Sequence, residues 1–213
     1  MRQEKNTITL KLNLGCGLVA PDEWINIDGS INARLAKFPF VRYFLFKINL
    51  ISKKLYEIPW HKNIVIRDLR KKLPFKDDSV AFIYSSHLLE HLKKDEGMRL
   101  IKECFRVLKK EAIIRIAIPD LYLLAKNYVK EIESNLKNHY PNDYLISEKF
   151  LKNLFEGKKR HRHLWMYDYK SLRYLLTKTG FRKTEKKNFR ESNIEKIEKV
   201  ETRKNSLFME AIK

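Results

Sequence analysis

Small, acidic and imidazole side chains gather behind apolar runs at a few places in this 213-residue chain: Gly15-Cys16-Gly17, Asp28-Gly29, Asp68-Leu69, Ser85-Ser86-His87, Pro119-Asp120 and the pair His161 and His163. Glycine lacks a Cβ, so Gly15 and Gly17 let the backbone come close to a ligand. A carboxylate at Asp28 can accept from both hydroxyls of a ribose, and one at Asp68 from an adenine amino group. Together they suit an adenosine-containing cofactor. His87 directly follows Ser85 and Ser86 and is the first candidate for a base that takes a proton from an acceptor hydroxyl. Its competing reading is a side chain that caps the next helix or lines the pocket. Asp120, His91, His161 and His163 are further candidates, with His91 beside Glu90 also readable as a buried, hydrogen-bonded core group. His161 and His163 stand among Lys158, Lys159, Arg160 and Arg162. That segment reads as a contact for an anionic acceptor or as a solvated basic loop. A metal reading of the pair needs a third ligand that the sequence does not reveal, and no metal is assigned.

Gly15 to Ala20 also satisfies the short dinucleotide pattern GxGxxG/A, which is weak by itself. A pyrophosphate needs a helix N-terminus at the third small residue and an acidic residue about 20 positions later. Here Pro21 follows Ala20 at once, and Asp28 comes eleven residues after Gly17. S-adenosylmethionine has no phosphate and asks for no such helix dipole, so it suits the spacing better than a nicotinamide dinucleotide.

The elements that must place these residues alternate in type. Apolar-rich strands are expected at Thr9 to Leu14, Trp24 to Ile27, Ile64 to Ile66, Val80 to Tyr84, Ala112 to Ile118, Phe181 to Phe189 and Leu207 to Ile212. Helical periodicity marks Ala33 to Tyr56, then Lys94 to Leu108 with Met98, Ile101, Phe105 and Leu108 on one face. It continues through Leu121–Ile132, Glu148–Phe155 and Ser171–Thr177, where Gly180 is placed to close the last helix. This alternation predicts an α/β Rossmann-like three-layer sandwich: a mainly parallel sheet covered by helices, with an antiparallel hairpin at one edge. In such a sheet ligands bind at the carboxyl ends of the strands, where the residues above lie. The whole of 1–213 reads as one domain. Segments 31–62 and 121–165 are helical insertions placed to cover an acceptor site.

Composition bounds the partners. The net charge is +19, from 45 Lys plus Arg against 26 Asp plus Glu, which favours anionic partners such as nucleic acid, phosphorylated small molecules or an acidic membrane surface. The excess of 31 Lys over 14 Arg, with abundant Ile and Asn, is equally what an AT-biased genome produces. Nucleic acid is therefore not favoured: there is no separate RNA-binding module and no recognised base-binding tetrapeptide after the fourth strand. Cys16 and Cys104 lie far apart without metal-ligand spacing, as free thiols in a reducing cytoplasm would. The polar N-terminus and the interrupted apolar stretch Phe38 to Ile51 predict a soluble, cytoplasmic protein. Within 31–62, the aromatic residues Phe38, Phe40, Tyr43, Phe44, Phe46, Tyr56 and Trp60 are expected to form a lid whose apolar face rests on the domain. The rival reading is peripheral membrane or subunit contact through 38–56.

LNLGCG at 12–17, WINID at 24–28, RDLRKKLPFKDDSVAFIYSSHLLEHL at 67–92 and RVLKKEAIIRIAIPDL at 106–121 resemble the SAM-dependent methyltransferases of type 11. The similarity is greatest to a bacterial subgroup found among surface-polysaccharide and glycosyltransferase genes, and it continues through 161–181 and 205–213. The resemblance implies that Gly15, Cys16 and Gly17 pass under the methionine part of S-adenosylmethionine. Asp28 with Gly29 would hold the ribose, Asp68 with Leu69 would flank the adenine, and Ser85 would line the pocket. It implies methyl transfer to a small-molecule or glycan-type acceptor. The alternatives are a nucleic-acid methyltransferase or a non-catalytic protein that binds the cofactor. The chain departs from the superfamily pattern twice. Only Leu18 to Trp24 separate the glycine turn from the second strand, so the usual first crossover helix is reduced or missing. Lys109-Lys110-Glu111 replaces the common Lys-Pro-Gly-Gly turn, away from the cofactor.

Overall fold

A computed structural model describes residues 9–138, 143–154 and 162–213, and a seven-stranded sheet runs through them. Its strands are β1 (Lys11–Leu14), β2 (Ile25–Asp28), β3 (Val65–Ile66), β4 (Val80–Ser86), β5 (Leu108–Ile118), β6 (Arg182–Lys187) and β7 (Leu207–Ile212). They lie in the order β3-β2-β1-β4-β5-β7-β6. The first five pair in parallel, and β7 is antiparallel to both β5 and β6. This is the Rossmann-like sheet with one antiparallel edge that the alternation predicts. The chain moves outward from β1 to β3 and then returns to place β4 on the other side of β1. The carboxyl ends of β1 and β4 therefore open the crevice in which such sheets bind ligands.

Among the described residues seven α-helices accompany the strands: α1 (Ile31–Ala36), α2 (Pro39–Lys47), α3 (Lys53–Tyr56), α4 (Lys94–Val107), α5 (Leu121–Asn138), α6 (Asp143–Leu154) and α7 (Tyr169–Thr179). Leu12, Leu14, Ile83, Ile114 and Met209 of the sheet share one core with the buried faces of α4 and α7. On α4 that face is Gly97, Leu100, Ile101, Cys104 and Val107, one step round from the expected stripe, and Met98 and Phe105 only flank it. The reason is a close approach, since a Cβ at Gly97 would stand 2.9 Å from the Tyr167 hydroxyl. Asp168 caps α7 by accepting from the Ser171 N–H at 2.8 Å, and Gly180 closes it in the left-handed region at φ 111°, as expected.

No helix lies between β1 and β2. Two asparagines, one on each strand and both almost wholly buried, hold the turns that replace it. Asn13 Nδ2 donates to Val19 O at 2.8 Å and to Asn26 Oδ1 at 3.0 Å. Asn26 Nδ2 donates to Pro21 O and Trp24 O, both at 2.9 Å. A loop pressed onto a sheet must find partners for its carbonyls, and these two amides supply them.

The segment 31–62 differs from the expected lid. Pro39 and Asn49, the latter in the left-handed region at φ 57°, break it into α1, α2 and α3. No residue of α2 or α3 is buried, and Phe40 is 88% exposed. The aromatics at 38, 40, 43, 44 and 46 are spread round the helix, so no single face could bury them all against the domain. Phe46 instead stacks on Tyr56 of α3, ring centres 4.6 Å apart. In the second insertion α5 packs on α6, with Tyr128 stacked on Phe150 at 4.4 Å.

Candidate active site

The crevice beyond β1 and β4 holds a cavity of about 540 Å³. Gly15, Cys16, Gly17 and Asp28 line one part of it, Ser86, His87, Leu88 and His91 another, and Thr202 and Arg203 a third. The turn after β1 is pinned to β2, for Gly15 and Cys16 both donate N–H groups to Ile27 O, at 2.8 and 3.2 Å. Gly15 is required twice over. Its φ is +69°, and a Cβ would meet the Leu88 side chain at 3.0 to 3.3 Å. At Gly17, with φ +54°, a Cβ would meet nothing within 4 Å. That open space is a cradle in which a ligand can lie on bare backbone.

Asp28 is held rigidly at the end of β2. Its Oδ2 accepts from the Gly17 N–H at 3.0 Å and its Oδ1 from the Ser30 N–H at 2.7 Å. Each carboxylate oxygen keeps further acceptor capacity toward the cavity. Burial, reinforced by the charge of Asp28, pushes the Cys16 thiol up to about 12, so it serves as an inert small wall. Cys104 is also a free, buried thiol.

His87 sits in the left-handed region at φ 49°, its N–H donated to Ala117 O at 2.9 Å. Its Nε2 lies 2.9 Å from Ser206 Oγ, and its Nδ1 lies 3.1 Å from Glu90 Oε1, in ion-pair range but off the line of a hydrogen bond. A carboxylate beside Nδ1 favours a proton there, which leaves Nε2 to accept from a hydroxyl. Nothing in the sequence pointed to Ser206, which is 119 residues away. Glu90 was legible only as the neighbour of His91.

The other predicted residues lie outside the cavity lining. Gly29 packs against the β3 side, where a Cβ would stand 2.4 Å from Arg67 O, so its role is close chain approach. Asp68 is taken by Arg70, with two contacts of 2.8 Å that hold its carboxyl down at about 2. Leu69 belongs to the core, and Ser85 is buried with its hydroxyl unpartnered among the described residues, while Ser86 faces the cavity. Asp120 caps α5, accepting from the Tyr122 N–H at 3.0 Å, and borders a separate cavity with Tyr122 and Asp168. His163 lies with its ring tilted against His91, centres 5.2 Å apart, and of the two only His91 lines the first cavity. His161 lies outside the described residues.

Residues 12–116 match the family model described as a methyltransferase domain. Among solved structures, a SAM-dependent methyltransferase of Archaeoglobus fulgidus aligns with 96% of this chain and 86% of its own, at 16% identity and a TM-score of 0.54. One from Thermotoga maritima aligns with 96% and 82%, at 17% identity and a TM-score of 0.51. At such identities the likeness is one of fold. No curated protein matches the chain. The matched stretch runs from β1 into β5 and carries the glycine turn, Asp28 and His87. The bare backbone at Gly17 and the carboxylate beside it fit a nucleoside cofactor without phosphates. Residues 12–116 of the chain form a methyltransferase domain whose cofactor is S-adenosylmethionine, and they supply most of the parallel part of the sheet.

Proposed function

We propose that the protein transfers the methyl group of S-adenosylmethionine to an oxygen or nitrogen of a small-molecule or glycan-type acceptor of anionic character, with His87 taking the acceptor's proton. The supporting observation is that the glycine turn, Asp28 and His87 line one cavity. The cofactor supplies an electrophilic sulfonium methyl. Gly15, Cys16 and Gly17 would hold its methionine part, and Asp28 would accept from its ribose hydroxyls. Glu90 steadies the imidazole from behind through Nδ1. An acceptor hydroxyl standing where Ser206 Oγ now stands gives its proton to Nε2. Alignment in the closed crevice contributes much of the acceleration. Arg203 on the far wall favours an anionic acceptor. The glycan element rests on the sequence resemblance.

A lipid-linked acceptor at a cytoplasmic membrane face is favoured by the exposure of Phe38, Phe40, Val41, Phe44 and Leu50. These stand among Arg34, Lys37, Arg42, Lys47, Lys53 and Lys54, with Glu57 the one acid between Gly29 and Arg67. Apolar side chains with a basic collar suit an anionic bilayer surface. No helix among the described residues is long and apolar enough to cross a membrane.

Calorimetric titration with S-adenosylmethionine, followed by acceptor screens with labelled methyl donor, tests the first reading. His87→Gln is expected to keep donor binding and to lose about 10²-fold or more in turnover; full turnover would remove His87 from the base role. Sedimentation with phosphatidylglycerol vesicles tests the second, and Phe40→Asp with Phe44→Asp should abolish it. Failure of the wild type to sediment would discard the membrane reading. Salt-sensitive RNA binding with RNA methylation would move the acceptor to nucleic acid.

A further inference from the structure

Residues 162–165, ahead of α7, fold back onto the 3-10 turn Leu89–His91 that follows β4. Leu164 and Trp165 both donate N–H groups to Glu90 O, at 2.6 and 3.2 Å, and the fold-back brings His163 against His91. One ring nitrogen of each histidine and one carboxylate oxygen of Glu90 then lie within 4.8 Å of one another. Glu90 is 1% exposed; His87 Nδ1 stands 3.1 Å from its Oε1, and neither carboxylate oxygen has an aligned hydrogen-bond partner among the described residues. A buried carboxylate left in that state is costly unless a cation or a strong donor meets it. Both imidazoles are oriented from behind: His91 Nδ1 lies 3.3 Å from Arg162 O, and His163 Nδ1 lies 3.3 Å from Leu154 O. Carbonyl partners of this kind fix ligating histidines.

We infer that Glu90, His91 and His163 form a site for a divalent first-row transition metal at the acceptor side of the methyl-transfer cavity. This rests on the reading of that cavity given above and deepens it. Two imidazoles and a carboxylate are the donor set of zinc, iron(II) and cobalt(II) rather than of magnesium or calcium. Bonds of about 2.0–2.2 Å require ligand atoms that stand as far as 4.8 Å apart to draw closer on binding. His91 also lines the cavity, so a metal there has an open side toward the acceptor. It would bind an acceptor oxygen and lower its pKa beside His87. His87, at 3.1 Å from Glu90, becomes the orienting partner of a ligating carboxylate.

The test uses the full chain, dialysed against EDTA and titrated calorimetrically with zinc chloride and, in parallel, cobalt(II) chloride, before and after S-adenosylmethionine is added. Expected is one equivalent of metal bound by wild type. The cobalt spectrum should show nitrogen and oxygen ligands without thiolate charge transfer, since neither cysteine is among the three ligands. His163→Ala and the near-isosteric Glu90→Gln should each weaken metal binding at least 100-fold while leaving S-adenosylmethionine binding within about twofold, which also certifies that they fold. Wild type that binds S-adenosylmethionine but not metal, or variants that bind metal undiminished, overturns the site. A protein that binds metal but no S-adenosylmethionine overturns the methyl-transfer reading instead.

Discussion

Asp28 does two things with one carboxylate. It fastens the glycine turn to the end of β2 through the N–H groups of Gly17 and Ser30, and it offers its remaining lone pairs to the cavity. Hydrogen bonds to a charged group contribute about 1.5–3 kcal/mol, so Asp28→Ala should weaken S-adenosylmethionine binding about 10- to 100-fold by calorimetry. Unchanged affinity would place the ribose elsewhere. Asp68 makes a contrasting prediction. Its hydrogen bonds to Arg70 keep the folded-state pKa at about 2, below the ordinary carboxylate value. The stabilisation is therefore complete above about pH 4 and is lost as pH falls through about 2. Asp68→Asn should flatten acid unfolding in that window, measured by circular dichroism, and leave donor affinity unchanged. Both aspartates were legible as residues that follow strands. Which one faces the cavity was not, because strand alternation does not say where the first side chain past a strand end points.

The two turns that stand in for a first helix depend on Asn13 and Asn26. Asn26→Leu leaves Pro21 O, Trp24 O and one of the two amide donors of Asn13 without their partners. Each such group costs about 1–3 kcal/mol, so a fall in thermal midpoint of well over 5 °C is expected by calorimetry. A shift within error would show that the turns are held by other means. The missing helix itself was readable from the seven residues between Gly17 and Ile25, too few for a crossover. How the gap is closed was not, since it depends on two amides meeting across neighbouring strands. The segment 31–62 shows the opposite failure. Its spacing reads as one helix with a face to bury, yet Pro39 and Asn49 break it and no residue of α2 or α3 is buried.

The molecule is tied together across its far edge by Arg115 of β5. Its guanidinium is wholly buried and bonds both oxygens of Glu201, at 2.6 and 2.8 Å, Glu210 on β7 at 2.9 Å, and the carbonyls of Asn188 and Glu191 at 2.8 Å. This fixes the 188–201 loop, which leads into Thr202, Arg203 and Ser206 on the acceptor side. Arg115→Met would strand two buried carboxylates and should destabilise the fold by about 3–5 kcal/mol, read by urea unfolding. Turnover should fall with it, while Lys183→Met on exposed β6 should do neither. A small effect at Arg115 would mean that the loop is held by its apolar contacts, Ile194, Ile197 and Val200 on Trp24 and Phe208. The order of elements, the parallel sheet, its antiparallel edge and the glycine turn with Asp28 and His87 were determined by the sequence alone, because hydrophobic period and turn chemistry are local and strand ends mark the ligand side. The partners of His87, the rigid hold on Asp28, the burial of Glu90 beside two histidines and the exposure of α2 were decided only by the tertiary structure. Each depends on groups tens of residues apart arriving at one place, and local spacing carries no record of that distance.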